Sequence, residues 1–208
     1  MTLRVRILAY DGVEALDFAG PFEVFTTASR VSQRLNPGAQ APFEVASVAL
    51  ASASQPVQAR AGLRLLADHE LAANPKADVL IVPGGVVDAA MASPATLRWI
   101  AECAAGAQLV ASVCTGVFLL AKSGVVTQEA VTTHWEDIAD LREQFPSLDV
   151  REGERWIDSG RVVSSAGISA GIDMSLYLVE RLAGRALAER TARQMDYAWI
   201  SSNSSPSA

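Results

Sequence analysis

Cysteine and histidine are almost missing from this chain, with two of each in 208 residues. Cys103 and Cys114 are too few for a disulfide framework. His69 and His134 lie far apart with no paired cysteines near them, which speaks against a zinc site. Neither a metal nor an organic cofactor is expected. Positive charge is also short: 17 Lys and Arg face 23 Asp and Glu, for a net charge of −6. The basic residues are scattered, whereas a surface for nucleic-acid phosphates needs them clustered, so no nucleic-acid partner is expected. Long apolar runs are absent as well. Arg4 and Arg6 interrupt the first apolar stretch and Asp11 ends it, and no segment reaches the roughly 18 apolar residues of a membrane helix. With no charged leader before a long apolar stretch, the expectation is a cytoplasmic protein with reduced thiols and no membrane partner. No internal repeat is visible.

What is present describes a folded domain. Hydrophobic residues make up 50% and charged ones 19%, the balance of a globular protein rather than a disordered or fibrous one. The length suits a single domain over residues 1–200, followed by a serine-rich tail, 201–208, expected to be disordered. β-rich apolar runs alternate with helical patterns, the signature of a mostly parallel sheet sandwiched by helices in an α/β fold. Strands are predicted at 4–10, 43–49, 77–83 and 107–113, with a hairpin of 155–157 and 161–164 around Asp158-Ser159-Gly160. Helices are predicted from Asp17 to about Arg30, from Ser93-Pro94 to about Ala105, over 115–122, 135–145 and 185–198, and along the stripe Ile172, Leu176, Val179 and Leu182.

Ser112-Val113-Cys114-Thr115-Gly116 closes an apolar run and opens a helix. This is the pattern of a nucleophile elbow, in which a reactive side chain sits on a strained strand-to-helix turn that needs small residues two positions either side. Cys114 is therefore the candidate nucleophile, and the amides of the following helix are expected to favour its thiolate. The plainer reading of a lone cysteine, a small inert core residue, is outweighed by those flanking residues. Cys103, inside the helix that opens at Ser93-Pro94, is expected to be inert.

In open α/β sheets ligands sit beyond the carboxyl ends of the strands, so partners of Cys114 are sought in the loops there. Asp17 follows the first strand as an isolated acid among apolar neighbours, where its pKa should rise and let it shuttle protons; otherwise it caps a helix. Pro83-Gly84-Gly85 follows another strand and can offer backbone amides to a developing negative charge, together with that of Thr115; otherwise it is a tight turn. Ser165-Ala166-Gly167-Ile168-Ser169-Ala170-Gly171 is a third such loop, or merely a passage with Ser169 as cap. His134 is the histidine with a route to the thiol, and the sequence does not orient it.

These marks, with Leu16-Asp17-Phe18-Ala19-Gly20-Pro21 and Thr132-Thr133-His134-Trp135, resemble the ThiJ/PfpI superfamily of flavodoxin-like proteins, and within it the isocyanide hydratases, up to about Trp199. The resemblance implies that Cys114 is the nucleophile and Asp17 its acidic partner, where many members carry Glu. Thr115 stands where the protease-like branch has His, so peptide hydrolysis is not expected. Gly84, Gly85, Thr115, Gly167 and Ile168 are the substrate-binding candidates, the Ile168 amide being expected near the sulfur. Ala166 stands where the hydratase pattern has Gly and is expected to narrow the pocket or shift its loop. The implied activity is addition of water to a small-molecule isocyanide through a cysteine thioimidate, giving an N-substituted formamide, in a homodimer. The competing readings are a glyoxalase- or deglycase-like enzyme acting on methylglyoxal, and a ligand or redox sensor built on Cys114.

Overall fold

The computed structural model describes residues 1–50, 55–73 and 75–202. In chain order the elements are β1 (Leu3–Ala9), α1 (Ala15–Leu35), β2 (Phe43–Ala49), β3 (Val57–Gln58), β4 (Arg64–Leu65), β5 (His69–Glu70), β6 (Val79–Val82), α2 (Asp88–Met91) and α3 (Pro94–Gly106). They continue with β7 (Leu109–Val113), α4 (Gly116–Lys122), β8 (Ala130–Val131), α5 (Ile138–Gln144), β9 (Asp149–Val150), β10 (Trp156–Ser159), β11 (Val162–Ser165), α6 (Ala170–Ala183) and α7 (Arg185–Gln194).

Seven strands form one sheet in the order β10-β11-β7-β6-β1-β2-β5, parallel throughout except for the antiparallel β10–β11 pair. Every residue of β6 and β7 is buried, so these strands carry no polar alternation beyond Ser112. Helices flank the sheet in two groups, α1 with α6 and α7, and α2 with α3 and α4. The fold is the expected mostly parallel, flavodoxin-like α/β arrangement. The register Val82↔Ser112 and Ser165↔Val113 brings the carboxyl ends of β6, β7 and β11 together, and that end carries the loops of interest.

Several boundaries differ from the sequence reading for local reasons. β7 begins at Leu109 rather than 107 because the Ala107 amide is still bonded to the Cys103 and Ala104 carbonyls at the end of α3. The hairpin turn is Gly160-Arg161, with Gly160 at φ +84°, so β10 runs on to Ser159. The segment 135–145 opens with a 3₁₀ turn, Trp135–Asp137, before α5. α7 stops at Gln194, and Asp196, at φ +51°, turns the chain out of the helix. The small β3–β4 hairpin, the edge strand β5 and the short pair β8–β9 were not foreseen. Of the expected tail, Ser201 and Ser202 are described without regular structure, and residues 203–208 lie outside the described residues.

Candidate active site

Cys114 follows β7 directly and has φ +55°, a left-handed conformation that costs a non-glycine residue on the order of 1–3 kcal/mol. The turn is held on both sides: the Cys114 amide donates to the Ser165 carbonyl at 3.1 Å, and the Thr133 hydroxyl donates to the Cys114 carbonyl at 2.9 Å. Gly116 explains the need for a small residue after the elbow, since a Cβ there would lie 2.0 Å from the Val82 carbonyl oxygen. Ser112, two residues before, is fully buried.

Asp17 lies on the third residue of α1, whose N-cap is Glu14, and is fully buried. It does not cap its own helix. Its Oδ2 accepts the Gly84 amide at 3.2 Å, and its Oδ1, buried near the Cys114 thiol, has no hydrogen-bond partner. Burial, with the nearby charge of Glu14, pushes the Asp17 pKa up to about 7 against the pull of the Gly84 amide and the Cys114 thiol. Cys114 is pushed up to about 12, by burial first and then by Asp17, with Asp137 adding to the rise. The expected help of the helix amides is present, the Thr115 amide favouring the anion, but burial and the Asp17 carboxyl outweigh it and favour the proton on sulfur. Cys103, on α3, is also raised by burial, to about 11.

The Gly84-Gly85 turn is spent differently from expectation. Gly84 gives its amide to Asp17, and Gly85 donates its amide to Thr115 Oγ1 at 2.9 Å while the same hydroxyl donates to the Gly85 carbonyl at 2.9 Å. These two amides thus orient the acid and the threonine instead of pointing free hydrogens at an oxyanion. A Cβ on Gly84 would meet the Thr115 amide nitrogen at 2.6 Å and Cys114 Cβ at 2.8 Å, so the loop packs directly on the elbow.

A cavity of about 340 Å³ opens over the sulfur, with Cys114, Thr115, Gly85, His134 and Ile168 among its lining residues. Gly167 abuts the nucleophile: a Cβ there would be 3.3 Å from Cys114 Sγ and 2.1 Å from His134 Cδ2. Ala166 lines a neighbouring cavity and not this one, so its methyl group does not narrow the space above Cys114. Ser169 is the N-cap of α6 by position, without a side-chain capping bond. His134 caps the 3₁₀ turn, its Nδ1 accepting the Glu136 amide at 3.4 Å, and Nδ1 is also 3.6 Å from carboxylate oxygens of Glu136 and Asp137. Its Nδ1 is therefore spent on the turn at the cavity wall, and the ring makes no hydrogen bond to the thiol. Among the described residues no group of three or more His, Cys, Asp and Glu is placed to hold a metal ion.

Sequence reasoning gave no role in the site to Tyr10, Glu14, Thr133 or Asp137. Tyr10 is buried beside the pair, donates to the Pro83 carbonyl at 3.0 Å, and has its pKa raised well above the usual range by burial, Asp17 and Cys114. Its place at the end of the first predicted strand was the available signal. Asp137 is raised by burial, the pull of His134 opposing the push of Asp140 and Glu136.

Residues 3–181 match the model of the DJ-1/PfpI family. The isonitrile (isocyanide) hydratase of Pseudomonas putida is 31% identical over 199 residues, 95% of this chain and 80% of that protein. The HTH-type transcriptional regulator CdhR of Pseudomonas aeruginosa is 30% identical over 139 residues, 67% of this chain but only 41% of the regulator. Among solved structures, a ThiJ/PfpI family protein from Pseudomonas syringae superposes with a TM-score of 0.81 at 25% identity, covering 95% of this chain and 76% of that one. Similarity thus reaches both an enzyme and part of a regulator.

Proposed function

The chain belongs to the DJ-1/PfpI family, and from that premise we propose that it hydrates isocyanides to N-substituted formamides with Cys114 as nucleophile and Asp17 as proton relay. The observation that carries this reading is the fully buried Asp17 carboxyl beside the Cys114 thiol on a strained elbow, burial raising the pKa of both groups. An isocyanide carbon must gain both a nucleophile and a proton in one addition. The thiol proton passes to the Asp17 carboxylate as sulfur attacks, and Asp17 hands it to that carbon, leaving a thioimidate, R–N=CH–S–Cys114. Asp17, again a carboxylate, takes a proton from water as the water oxygen adds to the same carbon, and passes that proton to the nitrogen. Collapse expels the sulfur as the remaining hydroxyl proton returns to it through Asp17, and R–NH–CHO departs. Water is the only co-reactant.

Thr115 supports the reading, because its hydroxyl is locked to Gly85 and cannot serve as the base of a Cys–His hydrolase. Assembly as a homodimer belongs to the same proposal and is checked by sedimentation equilibrium. The reaction itself is tested by giving purified wild type and Cys114→Ala several alkyl isocyanides and methylglyoxal side by side. Formamide from wild type and near-background product from Cys114→Ala are expected. Lactate from methylglyoxal without formamide would replace the proposal with the glyoxalase-like reading, and turnover of neither would favour the sensor.

A further inference from the structure

Residues 166–173 carry the chain from β11 into α6 and form the wall of the Cys114 cavity at Ile168. One residue outside that stretch holds both of its ends. The Arg155 carbonyl accepts the Ala166 amide at 3.0 Å. The Arg155 guanidinium donates through Nε to Asp173 Oδ2 at 2.7 Å, and Nη2 reaches the same oxygen. Asp173 is fully buried and the Arg155 side chain is 14% exposed. A pair at this depth is costly to break, because removing one partner leaves an uncompensated buried charge.

The outer side of the clamp is closed by the C-terminal segment. The Tyr197 hydroxyl donates to Asp173 Oδ2 at 3.0 Å, the Ile200 amide to Oδ1 at 2.9 Å, and the Trp199 indole to the Asp173 carbonyl at 3.2 Å. Between the two anchors there is little slack. Gly167 is wedged between His134 and the Cys114 sulfur, so movement of the stretch is felt at the reacting atom. Neither Arg155 nor Asp173 lines the Cys114 cavity.

We propose that Arg155 is a positioning residue of the active site, holding residues 166–173 at both ends so that Gly167 and Ile168 stay fixed as the wall beside Cys114. The inference rests on Cys114 being the reacting thiol of the function proposed above; it does not require that the substrate be an isocyanide.

The test compares the rates at which Cys114 of the full chain is alkylated by iodoacetamide and by the bulkier N-phenylmaleimide, read by peptide mass mapping. Relative to free cysteine, which reacts faster with the maleimide, wild type should favour the small reagent. In Arg155→Met a loosened wall should admit the bulky one and lower that preference by roughly 10- to 100-fold, the scale on which displacement by about 1 Å is felt at a reacting centre. Arg155→Lys, which keeps charge without the two-pronged geometry, should recover part of the preference. Arg181→Met, which breaks the Arg181–Asp158 ion pair elsewhere on α6, should leave the preference at its wild-type value. An unchanged preference in a folded Arg155→Met of lower melting temperature would reduce Arg155 to a stability role and overturn the proposal. Should Arg155→Met not fold, Arg155→Lys and Tyr197→Phe carry the test, and a wild-type preference in both overturns it. A wild type in which neither reagent reaches Cys114 overturns this inference together with the nucleophile assignment, whereas normal alkylation without formamide production counts against the isocyanide reading alone.

Discussion

A carboxyl group fully out of water and raised to about 7 is expensive to keep, and Asp17 shows what the site gains from it. The folded protein holds the Asp17 proton up to about pH 7, whereas the unfolded chain releases it near 3.8. Between those values the folded state binds more protons, so this group's contribution falls as pH rises, by on the order of 4 kcal/mol across the window. Asp17→Asn keeps an acceptor for the Gly84 amide and never carries the charge. It should therefore be more stable than wild type at pH 8 and close to it at pH 4, by thermal melts. The same variant should lose about 10²–10⁴-fold in formamide production, the usual worth of general acid–base help. Wild-type turnover should rise through about pH 7 as Asp17 becomes the base. A folded Asp17→Asn with unchanged turnover would return the aspartate to a structural role. Sequence showed that this acid was isolated among apolar neighbours, and the raised pKa followed. It could not show that Gly84 spends its amide there, because that bond joins residues 67 positions apart.

At the level of elements, the elbow was legible because its demands are local. A strand, a cysteine and a glycine two residues on are required by one tight turn, and Gly116 against Val82 shows the steric reason. β2 was legible to the residue, and α3 was marked by Ser93, whose side chain accepts the Thr96 amide. Elements set by distant partners were not. α7 was predicted to run to Ala198, yet Tyr197, Trp199 and Ile200 bond to Asp173 on α6 instead. The two-residue strands β3, β4, β5, β8 and β9 carry too few side chains for an alternation to register. The thiolate expectation was incomplete in the same way: it weighed a short helix's amides and omitted burial first and then the acids that other elements bring to the sulfur.

Across the whole molecule the net charge is −6, and acids outnumber bases at the cavity as well. Glu14, Asp88, Glu136, Asp137 and Asp140 line the cavity over Cys114, against Arg60 and His134. Such a mouth disfavours anions and leaves neutral molecules such as isocyanides unopposed. Cys114 should accordingly react faster with iodoacetamide than with iodoacetate, by a wider margin than free cysteine shows. That margin should narrow between about 0.02 and about 0.5 M salt as exposed charges are screened. An equal margin at both salt concentrations would mean that the rim exerts no field at the sulfur. No helix among the described residues is long and apolar enough to cross a membrane. The central claim, a covalent passage through Cys114, is tested most directly by quenching wild type with an alkyl isocyanide at short times and weighing the intact protein. The account predicts a transient increase equal to the mass of one isocyanide, mapped to Cys114, decaying as formamide appears and absent in Cys114→Ala. Formamide released with Cys114 unmodified throughout, or formed equally by Cys114→Ala, would contradict it.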